Sequence, residues 1–198
     1  MSKYALASVF ISVLALVLTA LGYEKRSTNL RRTVLISVMT ALSVIGRFIF
    51  APVPAFKPIT AMIVITGMWL GPGAGFACGA FTALISNIYF GQGPWTPFQM
   101  TAFGLIGLGS GLLAKPLRRY VPLLLGYGLI AGVIYSFIMD VWNVLWLGEG
   151  FSLELYKASL LTAVPYTIMY ALSNVIFLVI LAPLFRRKML RLLYKYGI

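Results

Sequence analysis

Histidine is absent from this chain, cysteine occurs once, at Cys78, and only 4 residues are acidic. A single cysteine excludes an intrachain disulfide and any cysteine-based metal cluster. Without histidine there is no Ser-His-Asp triad, no histidine proton relay and no ordinary zinc centre. An enzyme would need a nucleophile with its base, or a metal set, and neither can be assembled. We therefore expect no catalytic residue, no metal and no cofactor. The turn Gly71-Pro-Gly-Ala-Gly75 is not a phosphate loop, because no Gly-Lys-Ser/Thr follows it. No internal repeat of the kind that builds many secondary carriers is visible.

What the chain does have is apolar length. Of its 198 residues 61% are hydrophobic and 10% charged, and several runs approach the roughly 20 residues that cross a bilayer as a helix. This composition predicts an all-α integral membrane protein. The net charge of +12 is gathered into three clusters: Lys25, Arg26, Arg31 and Arg32; Lys115, Arg118 and Arg119; and Arg186, Arg187, Lys188, Arg191 and Lys195. Each adjoins the end of an apolar run. That is the positive-inside pattern, and no interleaved aromatic residues suggest nucleic-acid binding.

The runs predict seven spans with the N-terminus outside and the C-terminus in the cytoplasm. Residues 1–31 would be an extra transmembrane helix (about 4–22) with a basic linker, and residues 32–198 a six-helix membrane domain with a basic tail. Its spans are expected at about 33–50, 59–70, 74–90, 97–114, 121–147 and 158–184. The second of these is too short to cross alone at about 1.5 Å per residue. A basic loop is expected at 115–119, and the loops bearing Lys57, Trp95 and Glu149 fall outside.

Polar residues concentrate near the outer ends of these spans. Asp140 is the one acid within a span, and an isolated carboxylate in hydrocarbon needs partners. Asn143 follows one turn later, beside Trp142 and Trp146. Tyr166, Tyr170 and Asn174 recur at intervals of four on the last span. Arg47 and Asn87 lie close to outer helix ends. Above them run the Phe56-Lys57 loop and the stretch Asn87 to Gln99, which contributes Tyr89, Gln92, Trp95 and Gln99. This convergence predicts an outward-facing ligand pocket. Other roles stay open: the tryptophans as an interfacial belt, Asp140 as a structural partner of Arg47 or of tyrosine hydroxyls, and the last-span trio as interhelical hydrogen bonders.

The runs Gly46-Arg-Phe to Pro52, Lys57-Pro-Ile-Thr-Ala61, Gly71 to Phe76 and Phe90-Gly-Gln-Gly-Pro-Trp-Thr-Pro-Phe-Gln-Met100 resemble the S-components of energy-coupling factor (ECF) transporters. The likeness covers about residues 32–187 and is greatest to the cobalamin branch. It implies a substrate-capture subunit in a bacterial cell membrane that hands its vitamin inward by toppling. A transmembrane coupling subunit and two cytoplasmic ATPases would be its partners. The coupling subunit would dock on a small-xxx-small motif, matched here by Ser37 and Ala41. Cobalamin is the expected substrate. Pantothenate, an anion suited to Arg47 or Lys57, and a stand-alone ion-coupled carrier are the alternatives.

Overall fold

The computed structural model describes residues 30–147 and 151–196. The expected N-terminal span and the Glu149 position lie outside the described residues. Seven helices make up the rest: α1 (Leu30–Ile49), α2 (Ile59–Leu70), α3 (Pro72–Phe90), α4 (Thr96–Leu112), α5 (Ala114–Arg119), α6 (Val121–Leu147) and α7 (Leu153–Tyr196). No strand occurs among the described residues. Four of these helices (α1, α3, α6 and α7) are long and apolar enough to cross a membrane. With the shorter apolar α2 and α4 they form the six-helix bundle.

Turn chemistry fixes the up-and-down order. At Gly71 the chain leaves α2 with φ 94°, a left-handed value that glycine adopts freely, and Pro72 then opens α3. Gly91 ends α3 in the same way, at φ 102°. Prolines also sit where a helix begins and needs no amide donor, at Pro58 before α2 and Pro97 in the first turn of α4.

The core is built around α2, in which only Trp69 is not fully buried. Its near-continuous apolar sequence explains this, since a helix apolar all round has no polar face to present. Lipid tails are as apolar as Leu, so packing in a bilayer rests on close contact rather than on expulsion of water. Glycine supplies that contact between α3 and α4. A Cβ on Gly79 would lie 2.5 Å from the carbonyl carbon of Phe103, and one on Gly75 2.6 Å from that of Gly107. Outside this core, Val34, Val38 and Leu42 of α1, Ile130 and Ile134 of α6, and Ile168, Leu172, Ile176 and Val179 of α7 are exposed. These surfaces suit lipid.

One expectation needs correction. Residues 115–119 are not a loop, because Ala114–Arg119 forms a short helix. The helix of the last span continues beyond residue 184: α7 runs for 44 residues, about 66 Å at the helical rise, longer than a bilayer is thick. It passes through Pro165 and Pro183, which membrane helices tolerate, so the basic tail is helical. All the described basic clusters gather at one end of the bundle. Arg32 donates to the Leu70 carbonyl there, and the Arg118 guanidinium lies 5.2 Å from the Trp69 ring centre.

Candidate functional site

At the opposite end a cavity opens between α1, α2, α4, α6, α7 and the loop that follows α1. It holds about 580 Å³ of empty space, its mouth included, and is lined by residues from each of these elements. Arg47, Lys57, Gln99, Tyr170 and Asn174, all expected from sequence, line it. So do Ala55, Ile59, Thr60, Phe103, Gly132 and Tyr135, which sequence reasoning missed.

The aromatic wall is ordered by ring contacts. Tyr135 stacks on Phe103 at 4.6 Å and 20°, and Tyr170 meets Tyr135 edge-on at 5.0 Å. Tyr135 is 7% exposed. Gly132, one turn before it, presents no side chain and lets α6 lie close against α7 at the cavity wall. A Cβ there would lie 2.6 Å from the amide nitrogen of Ala171.

A hydrogen-bonded network stands behind the polar wall, with Asn87 at its centre and 1% exposed. Its Oδ1 accepts from the Arg47 guanidinium at 2.8 Å. Its Nδ2 donates to Gln99 Oε1 at 2.8 Å and to Thr96 Oγ1 at 2.9 Å. Gln99 in turn donates to the Tyr135 hydroxyl at 3.2 Å. Arg47 also donates to Ser86 and lies 4.6 Å from the Phe90 ring centre. Among the described residues no carboxylate lines the cavity.

The loop from Ala51 to Pro58 forms the rim. Ser173 on α7 clamps it, accepting from the Lys57 amide at 2.9 Å and donating to the Lys57 carbonyl at 3.1 Å. The Lys57 amine donates to the Val53 carbonyl at 3.1 Å. Burial, and then the nearby Arg47 guanidinium, hold this amine below the usual lysine range. Ala55 adopts φ 57°, a left-handed conformation that costs a residue with a Cβ about 1–2 kcal/mol.

The other expected site residues lie elsewhere. Phe56 packs against Phe50 and Phe177. Tyr89 is 75% exposed and meets Phe48 edge-on. Gln92 ties its loop down by donating to the Leu84 carbonyl at 2.8 Å and accepting from Thr96 at 3.0 Å. Trp95 is folded over Gly93, where a Cβ would meet its ring, so the indole covers its own loop rather than the cavity mouth. Trp142 is buried between Phe98 and Trp146.

Asp140 belongs to the α6/α7 interface, not to the cavity. Along α6, Gly128 faces Leu178, Gly132 faces Ala171, the Ser136 hydroxyl lies 2.6 Å from that of Thr167, and Asp140 accepts from Ser159 at 2.7 Å. Asn143 donates to the same carboxylate at 3.4 Å. Of the last-span trio, Tyr170 and Asn174 line the cavity, and Asn174 also donates to the Gly128 carbonyl at 3.0 Å. Tyr166 is 56% exposed. Steps of four residues advance about 40° beyond a full turn, so two steps carry Tyr166 out of the face that holds Asn174.

The motif expected to dock a coupling subunit is also located. Ser37 and Ala41 line a shallow groove between α1 and α3 with Ile36, Thr40, Val44, Ile45, Phe81 and Ile85, and it holds about 860 Å³ of empty space on the same measure. Both residues are exposed.

A lipid-compatible helical bundle with one cavity rim of aromatic, amide and cationic groups defines a membrane-embedded binding protein. The family model described as ECF-type riboflavin transporter, S component, matches residues 27–191. The chain belongs to that family. Its members are non-catalytic transport subunits that work with membrane-spanning and ATPase subunits. No curated protein and no solved structure matches the chain.

Proposed function

We propose that this chain captures riboflavin outside a bacterial cell membrane. It releases the vitamin inside as part of a complex with a coupling subunit and two ATPases. The observation that carries the reading is the composition of the cavity wall. Phe103, Tyr135 and Tyr170 supply ring faces, Gln99 and Asn174 supply amides, and Arg47 and Lys57 supply donors. A flavin has a flat tricycle for the rings, an edge of alternating N–H and C=O groups for the amides, and a hydroxylated chain for the rim. The family description, which names riboflavin, supports the same ligand.

The cobalamin expected from the Gly91 to Gln99 resemblance has no support in the family match, whose description names riboflavin. Pantothenate would use the two cations and leave the aromatic wall idle.

The test is a fluorescence titration of the purified protein with riboflavin, with cobalamin and pantothenate as competitors. Saturable quenching that neither competitor relieves is expected. Tight binding of either competitor without riboflavin binding would overturn the reading.

A further inference from the structure

The hydrogen bonds behind the cavity wall run one way, from Arg47 outward. We infer that the Tyr135 hydroxyl is a hydrogen-bond donor into the cavity, so that the site takes a ligand with an acceptor, a carbonyl oxygen or an unprotonated ring nitrogen, set against it. This rests on the reading of the cavity as the vitamin site.

The direction follows from the cation. A guanidinium has five N–H donors and no acceptor, so any chain of hydrogen bonds that begins there leads away from it. Arg47 donates to Asn87 Oδ1. That fixes the carboxamide: its oxygen faces the cation, and its Nδ2 donates to Thr96 and to Gln99 Oε1. With its oxygen occupied by Asn87, Gln99 meets Tyr135 through Nε2, and the Tyr135 oxygen is the acceptor. A phenol that accepts still carries a hydrogen of its own to donate.

Three branches leave Arg47, and they end differently. One passes through Ser86 and ends on the Thr82 carbonyl. A second passes from Asn87 through Thr96 and Gln92 and ends on the Leu84 carbonyl. The third runs through Asn87, Gln99 and Tyr135, and among the described residues no group accepts from the Tyr135 hydroxyl. This open branch is also the one that stops at the cavity, which Gln99 and Tyr135 both line. A buried donor left unmet costs about 1–3 kcal/mol, and a ligand acceptor would remove that cost. Hydrogen bonds in a chain polarise one another, so the charge at the head strengthens the donor at the end. A ligand N–H in the same place would meet hydrogen against hydrogen.

Reversing the chain tests it. Asn87→Asp sets a carboxylate, which only accepts, between Arg47 and Gln99. Gln99 must then turn its amide over, and Tyr135 donates to Gln99 Oε1 with no hydrogen left for a ligand. Gln99→Glu reverses Tyr135 by the same logic, should the first variant fold poorly.

The first readout needs no vitamin. The Raman Fermi doublet of tyrosine has a high intensity ratio when the hydroxyl accepts and a low one when it donates. The Tyr135 contribution is the difference between each protein and the same protein carrying Tyr135→Phe. A high ratio is expected in the ligand-free parent and a low one in either variant. A low ratio in the parent, or the same ratio in all three, would overturn the inference. The second readout is titration with riboflavin. Asn87→Asp should weaken binding about fivefold in the parent, the scale of one hydrogen bond, and less than about twofold in the Tyr135→Phe background. Equal losses in both backgrounds would show that the substitution acts through Arg47, and would overturn donation to the ligand. If the parent does not bind riboflavin while the doublets behave as expected, the vitamin assignment fails and the donor presented to the cavity stands.

Discussion

The Asn87 carboxamide bridges Arg47 and Gln99, residues on different helices. It accepts from the guanidinium and donates to the glutamine oxygen, each at 2.8 Å. Asn87 does not line the cavity, yet both partners do. Its role is to aim them.

Asn87→Ala should therefore weaken ligand binding without touching the ligand. A hydrogen bond to a charged group contributes about 1.5–3 kcal/mol, so a loss of about 2 kcal/mol, roughly 30-fold in Kd, is expected by titration. The thermal midpoint should fall too, because Arg47 and Gln99 are left half-buried with unmet groups. Unchanged binding would show that the network is incidental to the site.

Tyr135 separates ring from hydroxyl. Tyr135→Phe keeps the stack on Phe103 and removes the acceptor used by Gln99, so a loss of about 1 kcal/mol, roughly fivefold, is expected. Tyr135→Ala removes the ring, and should cost more affinity and abolish the quenching of flavin fluorescence. Equal losses in the two variants would argue against an aromatic contact with the ligand.

The shifted amine of Lys57 gives a pH dependence. Its folded-state pKa lies below its ordinary value, so in the window between the two the unfolded chain binds more protons. Stability should rise with pH through that window, approaching pH 10.5, as the unfavourable charge is relieved. Thermal melts of the ligand-free protein would show this rise. Lys57→Met should flatten it.

Two glycines on α6 make a matched pair. Gly132→Ala places a methyl 2.6 Å from the Ala171 backbone, whereas Gly126→Ala meets nothing within 4 Å. The first should lower stability by about 1–3 kcal/mol and weaken binding by pushing α6 away from α7 at the cavity wall. The second should leave both unchanged, as thermal melts and titration would reveal.

Ala41→Leu separates capture from transport. Ala41 lies in the groove between α1 and α3, and the cavity at the other site is lined by other residues. Titration should therefore give parental affinity, and copurification with the coupling subunit should fall at least tenfold. Lost binding with intact copurification would reverse the two assignments.

Much of this molecule was legible in its order of residues. Span lengths and flanking charges marked the bundle, because bilayer thickness and the cost of carrying charge into hydrocarbon act on sequence directly. Arg47, Lys57, Gln99, Tyr170 and Asn174 were found because they are polar residues near the ends of apolar runs. Tyr135 and Phe103 were not, since an aromatic residue inside an apolar helix looks the same whether it faces a cavity, a neighbour or lipid. Nor was Gly132, since how closely it lets α6 approach α7 depends on how the two helices cross. Trp95 was expected at the pocket with the rest of the Asn87 to Gln99 stretch. Only the fold of its loop shows the indole resting on Gly93, a contact between residues two apart that no periodicity encodes.

The short helix α2 gives the cavity a floor. Ile63, Val64 and Ile65 in its middle are wholly buried, and the glycine contacts of α3 and α4 close the bundle beside it. What lies above that floor is a cup, formed by the described residues and open at the rim. With the floor packed this closely, the way in for a guest is also the way out. Such a base suits a vessel more than a channel.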